Sequence, residues 1–474
     1  GGGDAVDDIA VPANTLNGPA TVTATDGISP TPVITATQTS PTNAGTVNFQ
    51  VEFGESVTGF TIGDLTIGGG IGGASNFAGS GASYTFDVVT TGDGTITVDI
   101  AAGVAQDAAS NSNLVATQFS MVVDQTSPTP VITSTQSSPT NAATVNFQVE
   151  FGESVTGFTI GDLTIGGGIG GASNFAGSGA SYTFDVVPTG DGTITVDIAP
   201  NVAQDAATNR NLVATQFSIT VDQTGVTPVI TSTQTSPTNA ATVNFQVEFG
   251  ESVTGFTIGD LTIGGGIGGA SNFAGSGASY TFDVVPTGDG TITVDIAAGA
   301  ALDAALNPTL AAVQFPMVVD QTSPTPVITA TQTSPTNAAT VNFQVEFGES
   351  VTGFTIGDLT IGGGIGGASN FAGSGASYTF DVVPTGDGTI TVDIAAGVSQ
   401  DLATNSNLVA TQFSITVDAS SFGVTLSNLG ASPTNGDYTV QALFSEQINT
   451  ATFVEGDISV TNGAVSAGTL TNTG

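Results

Sequence analysis

Apolar and polar residues alternate with period two along this chain, in short runs separated by turn-forming residues. Val47, Phe49, Val51 and Phe53 fall on one phase, with Asn48, Gln50 and Glu52 on the other. Tyr84, Phe86 and Val88 alternate with Thr85 and Asp87, and Ile96, Val98 and Ile100 with Thr97 and Asp99. Phe119, Met121 and Val123 alternate with Ser120 and Val122. Successive side chains of a strand point to opposite faces, so each run predicts a strand with one buried face. Helical periodicity is nowhere sustained. An opening strand near Thr31–Thr37, another near Leu65–Ile67 and a weak one around Asn76–Gly79 bring the number to seven. Thr91-Gly92-Asp93-Gly94 predicts a hairpin between the runs it joins. A longer loop, Gln106–Asn113, precedes the last strand.

This pattern recurs. Thr-Pro-Val-Ile opens at Thr31, Thr129, Thr227 and Thr325, a spacing of 98 residues, and Phe-Gly-Glu-Ser-Val-Thr-Gly-Phe at Phe53, Phe151, Phe249 and Phe347. A fixed period close to one small domain marks an array whose units each fold around their own core. Seven alternating strands in about 100 residues is the pattern of an immunoglobulin-like sandwich, although neither a Cys pair nor a Trp is present. The expected fold is therefore all-β, a tandem array of seven-stranded immunoglobulin-like β-sandwiches. Residues 29–126, 127–224, 225–322 and 323–418 are the complete units. Residues 1–28 read as the tail of a preceding unit, and 419–474 as the first part of a divergent fifth. Neither end has the look of a natural terminus, so the chain reads as a window onto a longer polypeptide. The glycine-rich stretch Gly68–Ser75 reads as a loose edge or wide crossover, not a phosphate cradle, since no helix or lysine follows it.

Certain motifs carry a family resemblance. Phe53-Gly-Glu55-Ser-Val-Thr-Gly-Phe60-Thr-Ile-Gly-Asp64-Leu65, then Tyr84-Thr-Phe-Asp-Val-Val, Gly94-Thr-Ile-Thr-Val-Asp-Ile and Asp107-Ala-Ala-Ser-Asn, resemble the bacterial immunoglobulin-like (Big-type) repeats of large surface adhesins and extracellular filament proteins. Phe444-Ser-Glu446 and Gly456-Asp457-Ile-Ser-Val-Thr-Asn-Gly resemble them in the divergent unit. The resemblance implies an exported bacterial or archaeal protein, extracellular or at the cell surface. It also implies calcium near domain junctions, which such repeats often hold.

Charge sharpens the picture. Forty acidic residues face one arginine, with no lysine, histidine or cysteine. Nothing in the chain can neutralise phosphates, which excludes nucleic-acid binding. No apolar run approaches the roughly 18–20 residues of a membrane helix. Without His, Cys or Trp, and with any candidate site repeated fourfold, an enzyme is not expected. Glu52, Asp87 and Asp99 lie on polar strand phases and read as solvated surface, and Asp93 as a turn residue.

Other carboxylates converge if the strands run in order around a sandwich. The loop after the second strand and the loop before the last lie at one pole, where the preceding unit also ends. The sets are Asp26, Glu55, Asp64 and Asp107; Asp124, Glu153, Asp162 and Asp205; Asp222, Glu251, Asp260 and Asp303; and Asp320, Glu349, Asp358 and Asp401. Asp418, Glu446 and Asp457 form the partial set of the fifth unit. Carboxylates meeting without a cation point to calcium, which takes six to eight oxygens in flexible geometry. Capping of local backbone N–H groups is the alternative reading. The functional expectation is a structural element of a stalk, fibre or filament stiffened by calcium, whose partners are neighbouring repeats or other copies. The alternative is a multivalent adhesin that grips a glycan or surface protein through exposed loops.

Overall fold

The computed structural model describes residues 25–428, 439–461, 464–465 and 471. The expected tail of a preceding unit, apart from its last four residues, and much of the fifth unit lie outside the described residues. The chain forms two compact units, one running to Gly225 and including Leu302–Asn307, the other Val226–Ala301 and onward from Pro308.

In the first repeat the strands are β1 (Val33–Ala36), β2 (Thr46–Val57), β3 (Leu65–Gly68), β4 (Ala74–Val89), β5 (Gly94–Ile100) and β6 (Phe119–Val123). They form two antiparallel sheets of order β1-β2-β4 and β3-β5-β6. The second repeat adds β7 (Val131–Ser134), β8 (Val145–Val155), β9 (Leu163–Gly166), β10 (Ala172–Val186), β11 (Gly192–Ile198) and β12 (Phe217–Val221), paired in the same way. The repeats opening at Val229 and Val327 follow the same scheme.

The sixteen residues of β4 are not one straight strand. At about 3.3 Å per residue, Asn76 and Asp87 would stand roughly 36 Å apart. Instead Asn76 Nδ2 donates to Asp87 Oδ2 at 2.9 Å, and Ser75 Oγ donates to the Asp87 carbonyl at 3.2 Å. The Phe77 ring also stacks on Tyr84 at 5.6 Å. The segment therefore folds back at Gly79–Gly81, whose φ values of 120° and 71° suit glycine. Its first arm is the weak strand expected around Asn76–Gly79. With it, each repeat has the seven strands of a constant-type immunoglobulin sandwich, four on one sheet and three on the other.

The expected hairpin at Thr91–Gly94 is not one. β4 and β5 belong to different sheets, so this turn crosses between the layers. Its glycines serve a crossover as well as a hairpin, and the buried phase reads alike in either sheet. The Gly-rich stretch is also a crossover, from β3 to β4. A Cβ on Gly69 would lie 1.8 Å from the Thr95 carbonyl oxygen, so only glycine fits there.

Alternation sets the core. Val47, Phe49, Val51, Phe53, Phe86, Val88, Ile96, Val98 and Ile100 are all buried. Phe49 stacks on its cross-strand partner Phe86 at 4.9 Å, and Phe119 of the opposite sheet meets Phe49 edge-on at 5.6 Å. Each such ring contributes about 1.5–3 kcal/mol by burial, and this aromatic contact ties the two layers.

Candidate metal centre

Three elements of the first repeat meet at one pole. The first is a bulge in β2. Its ladder with β4 slips between Glu52↔Ser83 and Val57↔Gly81, and Gly54 takes φ 79°. A glycine in the left-handed region is the usual device for such a bulge, and it places Glu55 next in the chain. The second element is the loop between β5 and β6. Asp107 is buried there and its carboxylate accepts twice from Asn111: Oδ1 from the backbone N–H and Oδ2 from Nδ2, each at 2.8 Å. The third is the chain entering the repeat, at Asp26.

The carboxylates of Asp26, Glu55 and Asp107 lie together, with one oxygen of each within 4.8 Å of the others. Asp124, Glu153 and Asp205 make the same cluster at the head of the second repeat, and Asp320, Glu349 and Asp401 at the head of the fourth. In the third copy, Asp303 is buried and held by Asn307 as Asp107 is by Asn111. Asp222 donates its backbone N–H to the Thr140 carbonyl, and Glu251 follows Gly250 in the corresponding bulge.

In the first cluster Glu55 and Asp107 are shifted in opposite directions. Burial pushes Glu153 up, and the charges of Asp124, Asp205 and Asp93 add to the shift. Burial likewise raises Glu349, reinforced by Asp320, Asp401 and Asp289, and Glu55, reinforced by Asp26 and Asp107. Burial also works to raise Asp107, but hydrogen bonds from Asn111 and from the backbone of Ala109 and Ser110 outweigh it and hold the carboxyl low. Asp107 is thus fixed as an anion and Glu55 is left facing it.

The fourth carboxylate of each expected set stays outside the cluster. Asp64 Oδ2 accepts from the Thr61 N–H at 2.7 Å and the Thr61 hydroxyl at 2.8 Å, closing the turn Ile62–Asp64. Asp162, Asp260 and Asp358 do the same for Thr159, Thr257 and Thr355. In the fifth unit Asp457 accepts from the Val454 N–H at 3.0 Å. Capping describes these five. Asp418 is exposed and donates its backbone N–H to the Thr336 carbonyl. Glu446 follows the strand Val440–Phe444.

Two kinds of residue at the pole escaped the sequence reading. Asn111, Asn209, Asn307 and Asn405 each donate a second N–H to the backbone carbonyl of the aspartate entering the repeat, at 2.7–2.9 Å. The signal available was the spacing Asp-x-x-x-Asn, kept even in the third loop, where Leu306 and Pro308 flank the asparagine. Asp93, read as a turn residue, holds the linker through the Gln125 N–H at 2.6 Å and the Thr126 hydroxyl.

Residues 124–221 and 320–417, the second and fourth repeats, match the family model of the bacterial Ig-like domain. No curated protein matches the chain. Among solved structures, the Escherichia coli adhesin FdeC is 14% identical, with 61% of this chain and 96% of that chain covered at a TM-score of 0.33. Invasin, a bacterial integrin-binding protein, is 12% identical, with 84% and 81% covered at a TM-score of 0.31. The I9–I11 tandem of titin is 11% identical, with 62% and 97% covered at a TM-score of 0.21. The matched family is an immunoglobulin-like domain and not an enzyme. Among the described residues no helix is long and apolar enough to cross a membrane. The first and third repeats copy the matched ones almost letter for letter, and the four repeats form a tandem array of bacterial immunoglobulin-like, Big-type, domains.

Proposed function

We propose that this chain is a structural part of an extracellular or cell-surface stalk, fibre or filament, and that calcium at the domain heads stiffens it. The observation that carries the reading is the carboxylate cluster, with its raised glutamate, in a chain that holds a single basic residue. Three hard oxygen donors suit calcium, and two oxygens bound to one ion at 2.3–2.6 Å stand at most about 5 Å apart. The 4.8 Å limit of each cluster fits that span. Asp124, Glu153 and Asp205 would hold the ion at the second repeat, and Asp320, Glu349 and Asp401 at the fourth. When bound, the ion supplies positive charge and lets the three carboxylates stay close.

The aromatic side chains favour a structural role over a multivalent adhesin. Sugars are gripped by exposed rings, whereas Phe53, Phe60, Phe77 and Tyr84 pack on one another. Among the described residues, the large exposed apolar side chains include one aromatic, Phe422. The partners are then neighbouring repeats or other copies of the chain.

Melting tests the calcium reading. With Kd on the order of 10⁻⁴–10⁻³ M, about 10 mM calcium should add roughly 1.4–2.7 kcal/mol per occupied site. The melting temperature should rise in calcium and fall on adding EDTA at fixed ionic strength. Equal melting in both would remove the calcium part of the reading.

A further inference from the structure

Asp124 heads the linker between the first two repeats, and its backbone is held on both sides. Its N–H donates to the Thr42 carbonyl of the first repeat at 2.9 Å. Its carbonyl accepts from Asn209 Nδ2 of the second repeat at 2.7 Å. Asn209 is itself buried, and its other Nδ2 hydrogen bonds Asp205 at 2.8 Å. From the first repeat, Asp93 accepts from the Gln125 N–H and the Thr126 hydroxyl.

We propose that these bonds form a latch that fixes the junction without any ion, with Asp93 gripping the linker from upstream and Asn209 from downstream. Asn209 is a positioning residue: one amide group holds the loop bearing the third carboxylate and the linker bearing the first. Around Asp320 the same parts recur, with Asp289 on Gln321 and Thr322, and Asn405 on the Asp320 carbonyl at 2.8 Å.

Variation between copies supports this division of labour. After the fourth repeat the linker reads Ala419-Ser420 in place of Gln-Thr. Asp387 still accepts from the Ala419 N–H at 2.7 Å and from the Ser420 hydroxyl. The Gln125 side chain, which donates to Thr90 Oγ1 at 2.8 Å and to the Ala44 carbonyl at 3.3 Å, has no counterpart there, while the backbone N–H and a hydroxyl still reach the aspartate. In the third copy Thr309 stands where the others carry Asn113, Asn211 and Asn407, yet Asn307 keeps its bond to the Asp222 carbonyl.

The latch deepens the proposed structural role and rests on it, but it assigns calcium to relieving repulsion at a joint that is already closed. Because the chain has no cysteine, spin labels go only where they are placed. Thr85→Cys and Thr183→Cys put one on an exposed strand position of each flanking repeat. Pulsed dipolar distance measurements on the full chain then read the junction with EDTA and with calcium. A narrow distribution is expected in both conditions. Thr126→Val combined with Asn209→Ala should broaden it about twofold or more in EDTA, since each lost bond raises the open population roughly five-fold. Thr126 is exposed, so Thr126→Val alone keeps the test valid if the double variant fails to fold, and it should broaden the distribution by a smaller factor. A wild-type distribution broad in EDTA and narrow only in calcium would overturn the latch and leave the calcium reading standing. A narrow distribution that Thr126→Val leaves unchanged would also overturn it. Calcium binding, measured separately by titration, can fail without altering either outcome.

Discussion

The outer face of the β7-β8-β10 sheet and the pole at Asp124 both carry carboxylates in a chain with almost no cations, yet they treat them oppositely. On the sheet face, Asp185 accepts from Asn146 Nδ2 at 2.7 Å and Asn174 Nδ2 at 3.0 Å, and these bonds hold it below the ordinary value of 3.8. Glu150 accepts from Ser181 at 2.6 Å and from Gln148. At the pole, burial and the neighbouring charges of Asp124 and Asp205 hold Glu153 above its ordinary 4.5. Neutral amides thus stand in for absent cations on the face, where water completes the solvation. At the pole the asparagine serves the aspartate and the linker, and the glutamate still faces anions. A carboxylate beside amide donors is stabilised as an anion, whereas one beside other carboxylates is repelled by them.

Removing a satisfied carboxylate breaks the first half of that contrast. Asp185→Ala leaves two amide donors to water and should cost about 0.5–1 kcal/mol, below the roughly 1.5–3 kcal/mol of hydrogen bonds to a charged group because the site is solvated. The loss should be equal with and without calcium in chemical denaturation. A calcium-dependent loss would mean that the face, too, belongs to a metal site.

Glu153→Gln probes the other half and should change sign with conditions. In EDTA it removes repulsion and should stabilise by about 0.5 kcal/mol after allowance for solvent screening. In calcium it removes a ligand and should destabilise. The pH dependence follows from the directions of shift. Glu153, raised, contributes stability below its unfolded pKa, and that contribution is lost as pH rises through the folded value. Asp185, lowered, contributes above its unfolded pKa and loses that contribution as pH falls through the folded value. Metal-free protein should therefore be most stable at about pH 4, between the two losses. Calcium should move the optimum toward neutrality, because its ligands must be deprotonated. A metal-free optimum at neutral pH would contradict the raised glutamates.

Much of the fold is legible because each strand has one buried phase, and Val47 to Phe53 or Ile96 to Ile100 can be read directly as pointing inward. What alternation cannot reveal is which sheet a strand joins, since both sheets face the same core. That is why the turn at Asp93 passes for a hairpin. The clustering of Glu55 with Asp107 was readable from strand order, because alternate loops of a sandwich share a pole. The same reasoning draws in Asp64, and only its bonds to Thr61 place it at its own turn. Asn111 and Asp93 stayed hidden because their partners lie 85 and 32 residues away. Loop asparagines and turn aspartates also have ordinary local uses that leave the same trace in sequence.

On the proposed reading the pole glutamates, and not acidity in general, create the calcium sites. Calorimetric titration of the EDTA-stripped full chain with calcium, beside a variant carrying Glu55→Gln, Glu153→Gln and Glu349→Gln, addresses it most directly. The wild type should bind saturably with Kd on the order of 10⁻⁴–10⁻³ M, and the variant should lose the sites of the first, second and fourth repeats while keeping its fold. A variant that binds calcium as the wild type does, or a wild type with no saturable binding, would contradict the account.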